Sequence, residues 1–383
     1  MRRAAGDGHA DILNVMDSSL KATNLLWVWH VGARGGYIPV SFPGFFDPGI
    51  GLLMIDADPA AGVERCVPQL VDGRYPNCKA QGLCAAAWET DARVDIHFTA
   101  CPFASGTRRL DPRFRDWFVF GNGDLDYVLG PAHHAARSCQ VQARRLDSIA
   151  AELDGQVAAP AILTIDAQGA SAEILRGARR LLAKSVDAVI CEAETIPFYG
   201  GTPSLSTILA DMSDAGFRFS GFLENSDAWA SPCRNPVGLR GRPLQGSVDA
   251  VFIRDPSDIG IGADPRRAAA YAFVACAVGH PDLAVWALSR SQGQYGRSPV
   301  ELFASALCES AQAMGKSLPP AFGATCSGTA GVTALADPSE SAFERCLATH
   351  GFTELASEVR ARRLFQAPFA HPFAGPESAN RGS

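Results

Sequence analysis

The chain has 383 residues, 47% of them hydrophobic, with 34 basic and 40 acidic side chains and a formal net charge of −6 at pH 7. That much apolar material can bury one large core, or a core with a satellite domain. The acidic balance, with no basic stripe interleaved with aromatics, argues against a nucleic-acid partner.

The 11 cysteines are scattered, odd in number and without a C-x-x-C pair. This pattern suits a reducing cytosol better than a disulfide framework. Cys66, Cys78 and Cys84 match no zinc spacing and no histidine pair completes them, so no metal is expected. Residues 1–9 contain arginines but no following apolar run, unlike a secretory signal. The longest apolar run, 268–278, is too short to span a bilayer. A cytoplasmic protein is expected.

Residues 1–24 read as a lead-in. Leu25 to Val31 is apolar apart from His30, as in a strand buried on both faces, and it runs into the glycine turn Val31-Gly32-Ala33-Arg34-Gly35-Gly36. A second buried strand, Leu52 to Ile55, ends in Asp56. Asp58 and Pro59 then suit a helix start, with Val63, Cys66, Val67 and Leu70 on one stripe.

Cys101 to His134 is an aromatic and polar insertion containing Phe103, Ser105, Phe114, Trp117, Phe118, Asn122, Asp124 and Tyr127. Such a loop either holds a ligand or packs on the sheet edge. His133-His134 reads as a solvated loop pair.

Ala161 to Ile165 and Ala188 to Cys191 are two more buried strands, joined by a helix expected from Ala170 to Lys184. On it Ile174, Ala178, Leu181 and Leu182 share a face, with Glu173 near its start and Arg179, Arg180 and Lys184 near its end. Ser204 is placed to cap a further helix with Leu205, Ile208, Leu209 and Met212 inward and Gly216 at its end. Phe217 to Leu223 and Val248 to Arg254 follow as a late antiparallel pair, where a dinucleotide-binding sheet would finish with parallel strands.

After Pro256 the segments 266–279, 281–291, 299–315 and 339–351 read as short alanine-rich helices, and from Ala367 the composition is that of a disordered tail. No Walker phosphate loop is present, and the turn around Ser171 lacks the second glycine of a nucleophile elbow.

Alternating strands and helices indicate an open, mostly parallel α/β sheet, whose ligands sit beyond the carboxyl ends of the strands. Asp166 stands at such an end in Leu163-Thr164-Ile165-Asp166-Ala167-Gln168-Gly169, and the Gly32 turn and Asp56 stand at two others. Asp166 also precedes its helix closely enough to cap it.

These three segments, in this order, resemble the FkbM-like family of S-adenosylmethionine-dependent methyltransferases. Arg144 to Ile149, Ile190 to Glu194 with Pro197-Phe198-Tyr199, and Ala85 to Trp88 with Val94 to Ser105 are similar to further segments of that family, the last two to its third strand and following hairpin. The resemblance covers Leu25 to Arg254. It implies a class I, Rossmann-like seven-stranded sheet over 25–255 with a C-terminal all-α extension over 256–366.

The cofactor it implies is S-adenosyl-L-methionine, held by His30, Gly32, Ala33, Gly36, Asp56 and Asp166. Catalysis would fall to Asp166, Gln168 and Glu192. At position 30 the family usually has an acid; a neutral imidazole can accept a hydrogen bond from the donor's amino group but lacks the charge. The implied reaction is methylation of a hydroxyl on a saccharide, glycolipid or secondary metabolite. The competing reading is an inactive relative acting as a scaffold through its helical extension, which is also where self-association is expected.

Overall fold

The computed structural model describes residues 26–34, 50–63, 78–120, 126–223, 228–232, 243–258, 265–280, 283, 284, 286 and 287. The chain divides into two compact units, one made of 25–39 with 50–259 and the other of 1–24, 40–49 and 260–383.

The strands of the first unit are β1 (Leu26–Val31), β2 (Ile50–Asp56), β3 (Lys79–Cys84), β4 (Ala86–Ala87), β5 (Arg93–Thr99), β6 (Phe118–Phe120), β7 (Asp126–Val128), β8 (Ala135–Arg144), β9 (Pro160–Ile165), β10 (Ala188–Glu194), β11 (Phe217–Phe222), β12 (Ala228–Ser231) and β13 (Leu244–Arg254). Its helices are α1 (Leu129–Ala132), α2 (Leu146–Glu152), α3 (Ser171–Arg176), α4 (Arg179–Lys184) and α5 (Leu205–Asp214). In the second unit α6 spans Pro265–Ala277, against the expected 266–279. The segments 299–315 and 339–351 and the tail from Ala367 lie outside the described residues.

The main sheet is a mixed one in the order β3-β2-β1-β9-β10-β13-β12-β6-β7, with β11 also on β13. The strands β3, β2, β1, β9 and β10 pair in parallel. β13 runs antiparallel to both β10 and β11, so the late antiparallel pair is present.

The sheet has ten strands where seven were expected. The difference arises because β13 begins at Leu244 and, at eleven residues, is long enough for two neighbours along one edge. β11 takes its later half, and β12 takes its start and carries β6 and β7 outward. Part of the aromatic insertion is thus sheet, not loop.

Side-chain alternation sets the core. Trp27, Trp29 and Val31 of β1, Leu163 and Ile165 of β9, and Val189, Cys191 and Ala193 of β10 point to one face. There they meet Leu146 and Ile149 of α2, Ile174 and Leu175 of α3, Leu181 and Leu182 of α4, and Ile208 and Met212 of α5. The opposite face, with Val28, Met54, Ile162 and Ile190, is also buried. Both faces closed is the reason these strands read as continuous apolar runs.

Three local expectations are corrected. The helix expected over Ala170 to Lys184 is two short ones. A side chain at Gly177 would bring its first carbon 2.0 Å from the Trp88 carbonyl oxygen, so the backbone there is in close contact with a neighbouring loop. The second helix is capped from a distance, its Arg180 and Leu181 amides each donating to the Asp147 carboxylate at 3.0 Å.

The third strand of the main sheet is Lys79–Cys84, while Ala86–Ala87 pairs with β8 in a small separate sheet of order β4-β8-β5. Asp58 does cap, accepting from the Ala60 amide, but only a single 3-10 turn at Pro59–Ala61 that Gly62 closes; Cys66, Val67 and Leu70 lie outside the described residues. Ser204 occupies the cap position of α5, although its hydroxyl faces Ser206 and Thr207 and makes no cap hydrogen bond.

Candidate active site

Register brings the carboxyl ends of the parallel strands level: Val31 pairs with Ile55 and with Ile165, and Ile165 with Cys191. The turns after β1, β2 and β9 therefore leave the sheet side by side. A cavity of about 190 Å³ opens there, and Gly32, Asp56, Asp166 and Gln168 line it together. Across from them it is walled by Ile96 and Phe98 of β5 and by the 102–107 loop. That loop is folded back onto β5 by the paired amides and carbonyls of His97 and Gly106. Phe103, 65% exposed, stands at the rim.

Gly32 is required by its conformation and by its neighbours. Its φ is +87°, and a β-carbon on it would sit 1.7 Å from the Asp166 carbonyl oxygen. The turn is also tied down, because the Gly32 and Ala33 amides both donate to the Ile55 carbonyl, at 2.9 and 3.1 Å. Ala33 is fully buried and does not reach the cavity. Gly36 lies outside the described residues.

Asp56 is nearly buried and its Oδ1 accepts from the Asp58 amide at 2.8 Å. Burial raises its carboxyl above the ordinary range, against the pull of that amide and of the Arg34 guanidinium. Arg34 is ion-paired with Asp58, and both line the cavity. Sequence reasoning named these two residues only as part of a turn and as a cap.

His30 does not line the cavity. Its side chain lies inside the sheet with Nδ1 2.7 Å from the Thr164 hydroxyl, and burial lowers its pKa from 6.5 to about 4, which makes it a neutral imidazole at physiological pH.

Asp166 opens onto the cavity, while the protein around its other sides desolvates it and raises its carboxyl. The Gln168 amide, donating to Oδ1 at 3.3 Å, and a hydrogen bond with Glu192 oppose the rise, and the Asp56 charge adds to it. It does not cap the following helix, whose cap position is Ala170.

Glu192 lies behind Asp166 and is not part of the cavity wall. Burial and the carboxylates of Asp166, Glu194 and Asp249 push it well above its ordinary range, with the Ser247 hydroxyl opposing. Two close carboxyls in this setting hold a proton between them, and the deeper Glu192 is the better keeper.

Gln168 has φ +48°, the described non-glycine residue with a left-handed backbone. Gly169 follows at +82°, and a β-carbon there would lie 2.7 Å from the Tyr199 ring. Two left-handed residues in succession turn the Gln168 side chain between Asp166 and Tyr199, whose hydroxyl donates to Gln168 Oε1 at 2.6 Å. Backbone held in a costly region like this clusters at functional sites.

The aromatic insertion divides between the cavity and the sheet edge. Phe103 and Ser105 line the cavity, whereas Phe114 packs with Trp117, Leu129, Phe198 and Tyr199 in a separate cluster on the sheet edge. Asn122 and Asp124 lie outside the described residues, as does the Tyr127 side chain. His133 is a correction: in place of a solvated position it is buried, and its imidazole contacts the Leu129 carbonyl and the Tyr199 hydroxyl.

No helix among the described residues is long and apolar enough to cross a membrane. No curated relative matches the chain. Among solved structures it is similar to the magnesium protoporphyrin IX methyltransferase from Synechocystis PCC 6803, solved with bound SAM, at 10% identity over 64% of this chain and 79% of that one, with a TM-score of 0.30. It is also similar to the methyltransferase FkbM from Methylobacillus flagellatus KT, at 14% identity over 59% of this chain and 43% of that one, with a TM-score of 0.27. The chain thus spans less than half of that FkbM protein, and likenesses this slight bear on no residue of the site. A sequence match is more direct: the methyltransferase FkbM domain family matches residues 114–219. The matched segment carries Asp166, Gln168, Glu192 and Tyr199.

Proposed function

We propose that this chain is an S-adenosylmethionine-dependent O-methyltransferase whose acceptor is a hydroxyl on a saccharide, glycolipid or secondary metabolite. The observation that carries this reading is the convergence of Gly32, Asp56 and Asp166, from three separate strand ends, on one cavity. A sulfonium methyl donor is already activated, so the protein's work is to bind, align and move a proton.

The residues present fit such a donor. Asp56, lining the cavity at the end of β2, suits a ribose diol, and the bare Gly32 turn allows close approach of a ligand. His30 and Ala33, being sealed within the sheet and turn, support the site from behind and do not touch the donor. Asp166 is the group that takes the acceptor's proton, and Gln168 aims it. Glu192, which retains the shared proton, leaves Asp166 ionised for that task. Phe103 and Ser105 at the rim form the acceptor's platform, a flat apolar face beside a hydroxyl as a sugar ring requires. The catalytic domain is 25–255, and 256–366 is the part of the chain through which copies associate. The scattered cysteines favour a cytoplasmic setting.

Calorimetric titration with S-adenosylhomocysteine, together with turnover of each variant, tests the reading. Asp56→Ala should weaken donor binding by about 1–3 kcal/mol. Asp166→Asn should retain donor binding and slow turnover by roughly 10²–10⁴-fold. No binding heat at millimolar ligand rejects the function, and loss of binding in Asp166→Asn makes that residue a binding group, not the base.

A further inference from the structure

Among the described residues that line the cavity, three carboxylates, Asp56, Asp58 and Asp166, meet one cation, Arg34. Its guanidinium does not pair with Asp56 or Asp166. It pairs with Asp58, at the start of the turn that follows β2.

The pair joins two turns that leave neighbouring strands. Arg34 stands on the turn after β1, which the Gly32 and Ala33 amides fasten to the Ile55 carbonyl at 2.9 and 3.1 Å. Asp58 divides its carboxylate, Oδ1 accepting from the Ala60 amide at 2.9 Å and Oδ2 accepting from Arg34. The backbone amide of the same residue donates to Asp56 Oδ1 at 2.8 Å. Asp58 therefore holds Asp56 with its amide and Arg34 with its side chain, so what anchors Asp58 also anchors the Asp56 carboxylate.

The turn by itself is a weak anchor. Asp56 is the last residue of β2, and after it comes only the single 3-10 turn Pro59–Ala61, closed by Gly62. Such a turn is poorly bonded on its own. A carboxylate that receives both hydroxyls of a diol must hold one direction, and any freedom left to it is lost again when the ligand binds. The tie across to the β1 turn removes that freedom beforehand.

We propose that Arg34 is a positioning residue: by pairing with Asp58 it braces the turn after β2 against the turn after β1 and keeps the Asp56 carboxylate directed into the cavity, where it receives the donor's ribose. Its part in binding rests on the donor proposed above, whereas the brace on Asp56 does not. The pair is partly exposed and adds little to global stability. Without it the Asp58–Ala60 cap remains, so the substitution acts on direction and leaves the sheet folded.

Charge is the competing way for Arg34 to act on Asp56. Burial raises the Asp56 carboxyl, the Asp58 amide and the Arg34 charge and amide oppose the rise, and the Asp58 charge adds to it. Asp166 is the further carboxylate within electrostatic reach. The test separates charge from position by working in alkaline buffer, which keeps Asp56 ionised in every form.

Two measurements on the full-length protein use wild type, Arg34→Ala, Arg34→Lys, Asp56→Ala and the Arg34→Ala/Asp56→Ala double variant. The first needs no ligand. Hydrogen exchange at the Asp58 amide, read by NMR, should quicken in Arg34→Ala and return toward the wild-type rate in Arg34→Lys, while the amides of β2 keep their rates. An unchanged Asp58 rate, or a quickening shared by β2, overturns the brace. The second is calorimetry with S-adenosylhomocysteine and with its analogue lacking both ribose hydroxyls. Arg34→Ala should weaken binding of the first by about tenfold and of the second by clearly less, and should add nothing in the Asp56→Ala background. Equal losses for the two ligands, or the same loss again in the double variant, mean that Arg34 acts on the donor without Asp56 and overturn the positioning role. If wild type gives no binding heat while exchange at Asp58 behaves as expected, the donor reading falls and the brace stands.

Discussion

Glu194 is closed off from solvent, with Oε1 unbonded and Arg108 as the positive charge that eases it; burial nevertheless raises its carboxyl from 4.5 to about 7. An acid raised on folding contributes its full stability below its unfolded pKa and loses it as pH climbs through the folded one. Between pH 4.5 and 7 the protein should therefore lose stability on the order of 2–3 kcal/mol through this residue. Glu194→Gln should flatten the melting temperature over that window, and parallel pH curves for the two proteins would count against it. At this scale the carboxylates at strand ends were legible from sequence, because a polar residue terminating an apolar run is a local signal. The contacts beyond Gln168 were not. His133 and Tyr199 are 66 residues apart, and the left-handed backbone of Gln168 has no mark in composition.

The break between α3 and α4 belongs to contacts outside the helix. Gly177 lets the Trp88 carbonyl approach, and Asp147, on α2, satisfies two amides that the start of α4 would otherwise leave open. Asp147→Ala should lower unfolding stability by about 1–2 kcal/mol, the usual worth of a helix cap. The midpoint of urea denaturation reads this directly, and an unmoved midpoint would show that water replaces the cap at no cost. Periodicity located β1, β2, β9, β10 and α5 because burial pattern is written along the element itself. It ran α3 and α4 together because the apolar stripe continues across Gly177, and only a neighbouring loop and a distant carboxylate divide it. The resemblance, not periodicity, named Ala85–Trp88 as the third strand; the half-exposed Lys79–Cys84 carries no buried apolar run, and pairing with β2 alone selects it.

In the whole molecule, the proposed donor spans turns from β1, β2 and β9, so its binding free energy adds to the stability of the unit that joins them. Saturation with S-adenosylhomocysteine at a hundred times its dissociation constant should add about 2.7 kcal/mol and raise the melting temperature with ligand concentration. A melting temperature indifferent to ligand speaks against a site formed only by the folded sheet. The amino-acid sequence alone determined that there would be a parallel α/β sheet with carboxylates at its strand ends, since strands buried on both faces and the residues that end them are defined by neighbours in the chain. Only the tertiary structure decided that Gly32, Asp56 and Asp166 face one cavity, that His30 is sealed within the sheet, and that β12, β6 and β7 extend it to ten strands. Those outcomes depend on register and on pairing between distant segments, and a linear pattern carries no trace of which segments will meet.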